Sequence, residues 1–180
     1  MKSLHQKSLF LFMLIVMPVR AEQYLNLQQA QQGLFAEADR FLAMPVVLTA
    51  AQKKKVETVA GVKLRFPEQP VWRAEKNGQL LGWFVLDEVY GKHEFITYAV
   101  SLDTAGAVKR VLILAYRETH GGEVRNANWL AQFMGKTAAM PLRLDEEIQY
   151  ISGATLSSKH IVEGVRRVLA IYDVAIKQAE

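Results

Sequence analysis

The chain contains no cysteine, and that absence removes several chemistries together. Disulfide scaffolds, thiolate zinc sites, iron–sulfur clusters, CxxC redox centres and cysteine nucleophiles are all excluded. Any redox work must then come from a bound cofactor. Also missing are the Gly-x-Ser-x-Gly elbow of a serine hydrolase, the Walker loop and the Gly-x-Gly-x-x-Gly dinucleotide fingerprint. The case for an enzyme is therefore thin. Proline is scarce, at five in 180 residues, while three Trp, eight Phe and six Tyr are present, which argues against a disordered chain. With 51% hydrophobic and 22% charged residues, the composition is that of one globular domain with a core of its own.

Hydrophobic runs are short. The longest, Leu9 to Val16, follows Lys2 and Lys7, is broken by Pro18, and leads to Val19-Arg20-Ala21. A membrane-spanning helix needs roughly 20 apolar residues, about twice this length. Charged start, apolar middle and small residues at a cut site form the pattern of a secretory signal peptide. Residues 1–21 are read as that signal, cleaved after Ala21, which places the mature protein in the periplasm. Its removal takes three of the 22 basic residues and none of the 18 acidic ones, leaving a formal charge of +1. A nucleic-acid partner requires a basic field that neutralises many phosphates, and none remains.

Residues 22–69 read as a helical lead-in. Asn26 is placed to cap a turn through Gln32, Gly33 to stop it, and Leu34, Phe35, Phe41 and Leu42 to form a second apolar-faced stretch. Thr49 with Gln52 is a capping-box pattern for a helix to Ala60, and Gly61 stands where a C-terminal cap belongs. Lys53, Lys54 and Lys55 in that helix read as a solvated face. Residues 70–180 form the main domain. Period-two segments at 71–75, 79–89, 94–102 and 107–116 are separated by short turns, Lys76-Asn77-Gly78, Tyr90-Gly91-Lys92 and Asp103 to Gly106. Consecutive strands so joined are antiparallel hairpins. Asn126 to Met134 reads as a helix carrying Trp129 and Phe133. Ile161, Val165, Val168, Leu169, Tyr172 and Ile176 mark a long C-terminal helix over 157–179. The fold class is α+β: an antiparallel meander flanked by helices.

The segment that opens the last helix carries the chemistry. Ser152-Gly153-Ala154-Thr155-Leu156-Ser157-Ser158 joins small residues, which allow close backbone approach, to the hydroxyls of Thr155, Ser157 and Ser158. Unpaired amides at a helix start favour an anion such as a phosphate. Plain capping of the helix by Ser or Thr accounts for the same residues.

This run resembles the flavinylation motif of the periplasmic FMN-binding domain family, which includes the G subunit of the Rnf electron-transport complex and the C subunit of the sodium-pumping NADH:quinone oxidoreductase. The resemblance implies FMN bound covalently through its phosphate to Thr155, attached by a flavin transferase that uses FAD and a divalent metal. Ser152, Gly153, Ala154, Leu156, Ser157 and Ser158 would surround the phosphate. Tyr116 to Glu123 resembles the family's Glu-Thr-Pro-Gly segment, with His120 in the proline's place, so Glu118, Thr119, Gly121 and Gly122 would lie against the flavin ring. His120 could tune or donate to it. Gly91-Lys92-His93-Glu94 leading to Ile96-Thr97-Tyr98 resembles a strand start of single-domain members. Where the attachment motif has an Asp, three residues before Ser152, this chain has Gln149. The implied function is electron transfer between membrane or periplasmic redox proteins, without catalysis of its own. The alternative is a non-covalent FMN-binding or assembly module with the same fold. His160 and Glu163 share a helical face, but a metal site needs further ligands, so no metal is expected.

Overall fold

Period-two patterning and capped helical segments sort the chain into a single sheet with helices on both faces. The computed structural model describes residues 22–178, and the signal peptide read at 1–21 lies outside the described residues. The strands are β1 (Glu22–Gln23), β2 (Arg40–Ala43), β3 (Val71–Lys76), β4 (Gln79–Tyr90), β5 (Phe95–Leu102) and β6 (Val108–Tyr116). The helices are α1 (Leu27–Leu34), α2 (Ala50–Ala60), α3 (Ala127–Leu130) and α4 (Thr155–Ile171), the last closing in a π-helical turn over Tyr172–Ile176. The strand order is β1-β6-β5-β4-β3-β2, with every neighbouring pair antiparallel.

The local signals explain the elements. Asn26 and Thr49 each form a reciprocal capping box, with Gln29 and Gln52 respectively, and Gly61 ends α2 in the left-handed conformation at φ +74°. Lys53, Lys54 and Lys55 are exposed. The segment from Val71 to Tyr116 forms the expected meander of hairpins. The lead-in departs from its helical reading at Phe41 and Leu42. There the chain is a strand whose register pairs Phe41 with Ala74 and Leu42 with Arg73. Pairing outweighs helix formation at this point: Arg40 reaches the buried Glu75 carboxylate at 2.6 Å, and Phe41 packs edge-on against Phe35. Both edge strands of the sheet, β1 and β2, thus come from residues before the meander.

Strand alternation divides the core between two faces. On one, Trp83, Val85, Tyr98, Val100 and Val111 pack with Val56 of α2 and with Ile161, Val165 and Val168 of α4. On the other, Ala74, Phe84, Ala99 and Leu114 pack with Ala30, Leu34 and Phe35. Asp87 falls on the α4 face, fully buried, and receives the Arg167 guanidinium through Nε at 3.0 Å and Nη2 at 2.7 Å. The Tyr98 hydroxyl donates to the same oxygen at 2.6 Å. Burial, reinforced by the neighbouring carboxylate, pushes the Tyr98 phenol well up, so it remains a donor. Arg167 also donates to the carbonyls of Lys63 and Glu88, both at 2.7 Å. This cluster fixes α4 against the sheet, and with it the position of the helix start. Among the described residues, no helix is long and apolar enough to cross a membrane.

Candidate functional site

The start of α4 has no side-chain cap. The helix begins at Thr155, two residues before the expected start at 157, and its N-cap is Ala154. The amides of Thr155, Leu156 and Ser157 consequently have no acceptor among the described residues, while that of Ser158 bonds the Ala154 carbonyl at 2.8 Å. Such amides, with the helix dipole behind them, form a positive end. The capping explanation of the hydroxyls is therefore not realised. Ser158 is buried and its Oγ donates back to the Ala154 carbonyl at 2.9 Å. Ser157 is buried with its Oγ 3.0 Å from the Tyr116 hydroxyl. Thr155 is exposed, and its hydroxyl has no partner among the described residues.

The last residue of β6 ties the following loop to this helix start. The Tyr116 hydroxyl has one proton and donates it to the His120 carbonyl at 2.5 Å. Ser157 must then be the donor to the Tyr116 oxygen. Partial burial, aided by Glu118 and Glu123, raises the Tyr116 phenol above its usual range, against the Ser157 hydrogen bond and Arg125. Gly121 allows this close arrangement. Its φ is +86°, and a Cβ there would stand 2.7 Å from the Tyr116 hydroxyl and 3.1 Å from Ser157 Oγ.

A second tie runs from the same loop to the turn between β4 and β5. Glu118 Oε1 accepts the amides of His93 at 2.6 Å and Glu94 at 3.0 Å. Burial alone would raise this carboxyl, but the amides of Glu94, His93 and Lys92 more than offset it and hold the group below its usual value. Gly91 makes room for the carboxylate, since a Cβ on it would collide with Glu118 Oε1.

The three segments enclose a cleft of about 360 Å³. One wall is Gly153 to Ser157, the second Glu118 to Gly121, and the third Lys92 and His93 from the turn. An adjoining hollow of about 650 Å³ shares Glu118 to Gly121 and Gly153, and is completed by Tyr24, Tyr116, Gly122, Glu123 and Arg125. Arg125 lies over the Tyr24 ring at 4.7 Å.

Most of the residues singled out in the sequence thus meet. Thr155, Gly153, Ala154, Leu156, Ser157, Glu118, Thr119 and Gly121 line the cleft, and Gly122 lines the adjoining hollow. Ser152 is exposed and lines neither, and Ser158 is turned into the protein. His120 lines both spaces, its Nδ1 2.9 Å from Thr119 Oγ1. Gln149 lies apart from the cleft. Its carbonyl accepts the Trp129 indole at 2.6 Å and its amide donates to Gln132 at 2.9 Å. Sequence reasoning did not single out Tyr116, Lys92 or His93 as site residues. For Tyr116 the available signal was a polar tip on a strand's inward face, followed by paired glycines. No group of three or more His, Asp or Glu side chains that could hold a metal occurs among the described residues.

Fold and cleft together define a small α+β domain in which three unpartnered helix amides and an exposed hydroxyl open into a cleft. Residues 91–170 match the family model described as FMN-binding domain, the family that the Ser-Gly-Ala-Thr segment resembles. The match begins at the turn carrying Lys92 and ends within α4, so it contains every residue lining the cleft. The chain is also similar to the G subunit of the Na(+)-translocating ferredoxin:NAD(+) oxidoreductase complex of Acetobacterium woodii. The two are 27% identical over 156 residues, covering 79% of this chain and 72% of that protein. The residues present fit the phosphate end of FMN. They supply three unpartnered amides, an exposed hydroxyl and a glycine-lined wall, within the size range of small-molecule pockets.

Proposed function

We propose that this chain is an exported flavoprotein that carries FMN through a phosphoester to Thr155 and serves as an electron carrier between redox partners. The observation that carries the reading is the uncapped start of α4. Three amides and the free hydroxyl of Thr155 open there into the cleft within the FMN-binding match. The similarity to a member of a ferredoxin:NAD(+) oxidoreductase complex supports electron transfer with membrane or periplasmic proteins.

When bound, FMN would supply the electron transfer. This chain's residues bind and orient it. Thr155 provides the attachment oxygen, and the Leu156 and Ser157 amides steady the phosphate. The Tyr116 bridge holds Thr119 to Gly122 at the pocket wall. Attachment would be the work of a flavin transferase. The Thr155 hydroxyl would be the acceptor, taking the FMN phosphoryl group of FAD in exchange for AMP and a proton. Export through the signal at 1–21 gives the tether its use, since an FMN lost outside the cytoplasm is not replaced from the cytoplasmic pool.

The test is intact mass after export in a host co-expressing a flavin transferase, with Thr155→Val alongside. The expected result is a gain of FMN less one water in the wild type and none in the valine variant. An unmodified wild type, with the transferase active on a control protein, would overturn covalent carriage. Gln149 in the place of the motif's Asp would then mark this chain as a non-covalent binder or assembly module.

A further inference from the structure

We infer that Lys92, presented by a turn that Glu118 holds in place, selects a phosphorylated flavin over its unphosphorylated counterpart. The inference rests on the flavin reading of the cleft and adds a specificity residue that no attachment motif contains. Lys92 is exposed, lines the cleft with Thr155, and has no carboxylate within ion-pairing distance among the described residues.

The acid that lines the cleft, Glu118, does not neutralise it by pairing. Its Oε1 is taken up by the His93 and Glu94 amides, at 2.6 and 3.0 Å. That arrangement fixes the backbone just after the lysine, the Gly91 amide before it bonds the Glu94 carbonyl at 2.8 Å, and Gly91 gives the carboxylate its space. An ammonium on a fixed turn, across a cleft from unpartnered helix amides, offers donors and positive charge from two directions. A phosphate takes hydrogen bonds on several oxygens and fits such a pair of walls. A ribityl hydroxyl, being neutral, draws little from either. In this arrangement Lys92 contacts the ligand and Glu118 is a positioning residue.

The experiment uses protein made without a flavin transferase, so that Thr155 is unmodified, and titrates FMN and riboflavin by flavin fluorescence. Wild type is expected to prefer FMN. Lys92→Met should lose about tenfold in FMN affinity, the worth of one charge-assisted hydrogen bond, with riboflavin affinity unchanged. Lys92→Arg should retain the preference. Raising the salt should shrink it more in the wild type than in Lys92→Met, because the variant has already lost the lysine charge that salt screens. Glu118→Gln should lower the FMN preference in the same direction as Lys92→Met. Equal binding of the two flavins by wild type, or an undiminished preference in Lys92→Met, would overturn this inference and leave the flavin reading standing. Binding of neither flavin by the unmodified wild type would overturn this inference, while covalent carriage stands or falls by the mass measurement.

Discussion

The hydroxyl of Tyr116, at the end of β6, lies 3.0 Å from the hydroxyl of Ser157, in the first turn of α4. The two residues are 41 positions apart in sequence. Through this contact and the bond to the His120 carbonyl, one phenol connects sheet, loop and helix start. The relative position of the 118–122 loop and Thr155 depends on it.

Tyr116→Phe leaves the ring in place and removes both hydrogen bonds. The His120 carbonyl and the buried Ser157 hydroxyl lose a partner, a loss of about 1–3 kcal/mol. Urea unfolding of the two proteins measures it. Flavin occupancy after co-expression with a transferase should fall as well, whereas an unchanged midpoint would show that the bridge contributes nothing.

Gly121→Ala and Gly153→Ala separate backbone strain from crowding. Both glycines have left-handed φ, +86° and +84°, but a Cβ at Gly153 meets nothing within 4 Å. Gly153→Ala should cost about 1 kcal/mol of conformational strain. Gly121→Ala adds overpacking against Tyr116 and should cost about 1–3 kcal/mol more. Thermal unfolding should rank the two in that order.

The buried Asp87–Arg167 pair predicts a marked asymmetry between single and double variants. Arg167→Met strands a carboxylate with 0% exposure, at a cost of about 3–5 kcal/mol. Adding Asp87→Asn removes the stranded charge and should recover part of that loss. A double-mutant cycle by chemical denaturation reads the coupling. Simple additivity of the two losses would contradict the pairing.

Glu118 makes stability depend on acid. Its carboxyl is held below the usual value of 4.5, so the unfolded chain takes up its proton first as pH falls. The contribution is complete above that value and is lost progressively as pH drops toward the lower folded one. Glu118→Gln should flatten the melting temperature over the acid range and leave its shape near neutral pH unchanged. A wild-type and a variant profile that run parallel through the acid range would refute this.

The meander and the capped helices were legible because their causes are local. Alternation from Val71 to Tyr116, the Thr49 and Gln52 pair, and Gly61 each act within a few residues. The apolar-faced stretch read at Phe41 and Leu42 within the helical lead-in is a strand, because their partners, Ala74 and Arg73, lie on a strand some thirty positions ahead. The start of α4 was placed two residues late for a related reason. Apolar periodicity locates the face a helix buries, while its first turn, at Thr155 and Leu156, is exposed and leaves no such mark.

By itself, the sequence determined the α+β class, the absence of thiol chemistry and the Ser-Gly-Ala-Thr run before a long helix, since each is a matter of residue type and near-neighbour spacing. Only the tertiary structure decided which hydroxyls were available. It turned Ser158 inward, tied Ser157 to Tyr116, left Thr155 open, and brought Lys92 and Glu118 to the same cleft. Those outcomes depend on how β4, β5 and β6 place their ends beside α4. That placement follows from burial of the whole sheet face and of the Asp87–Arg167 pair, which no local pattern encodes.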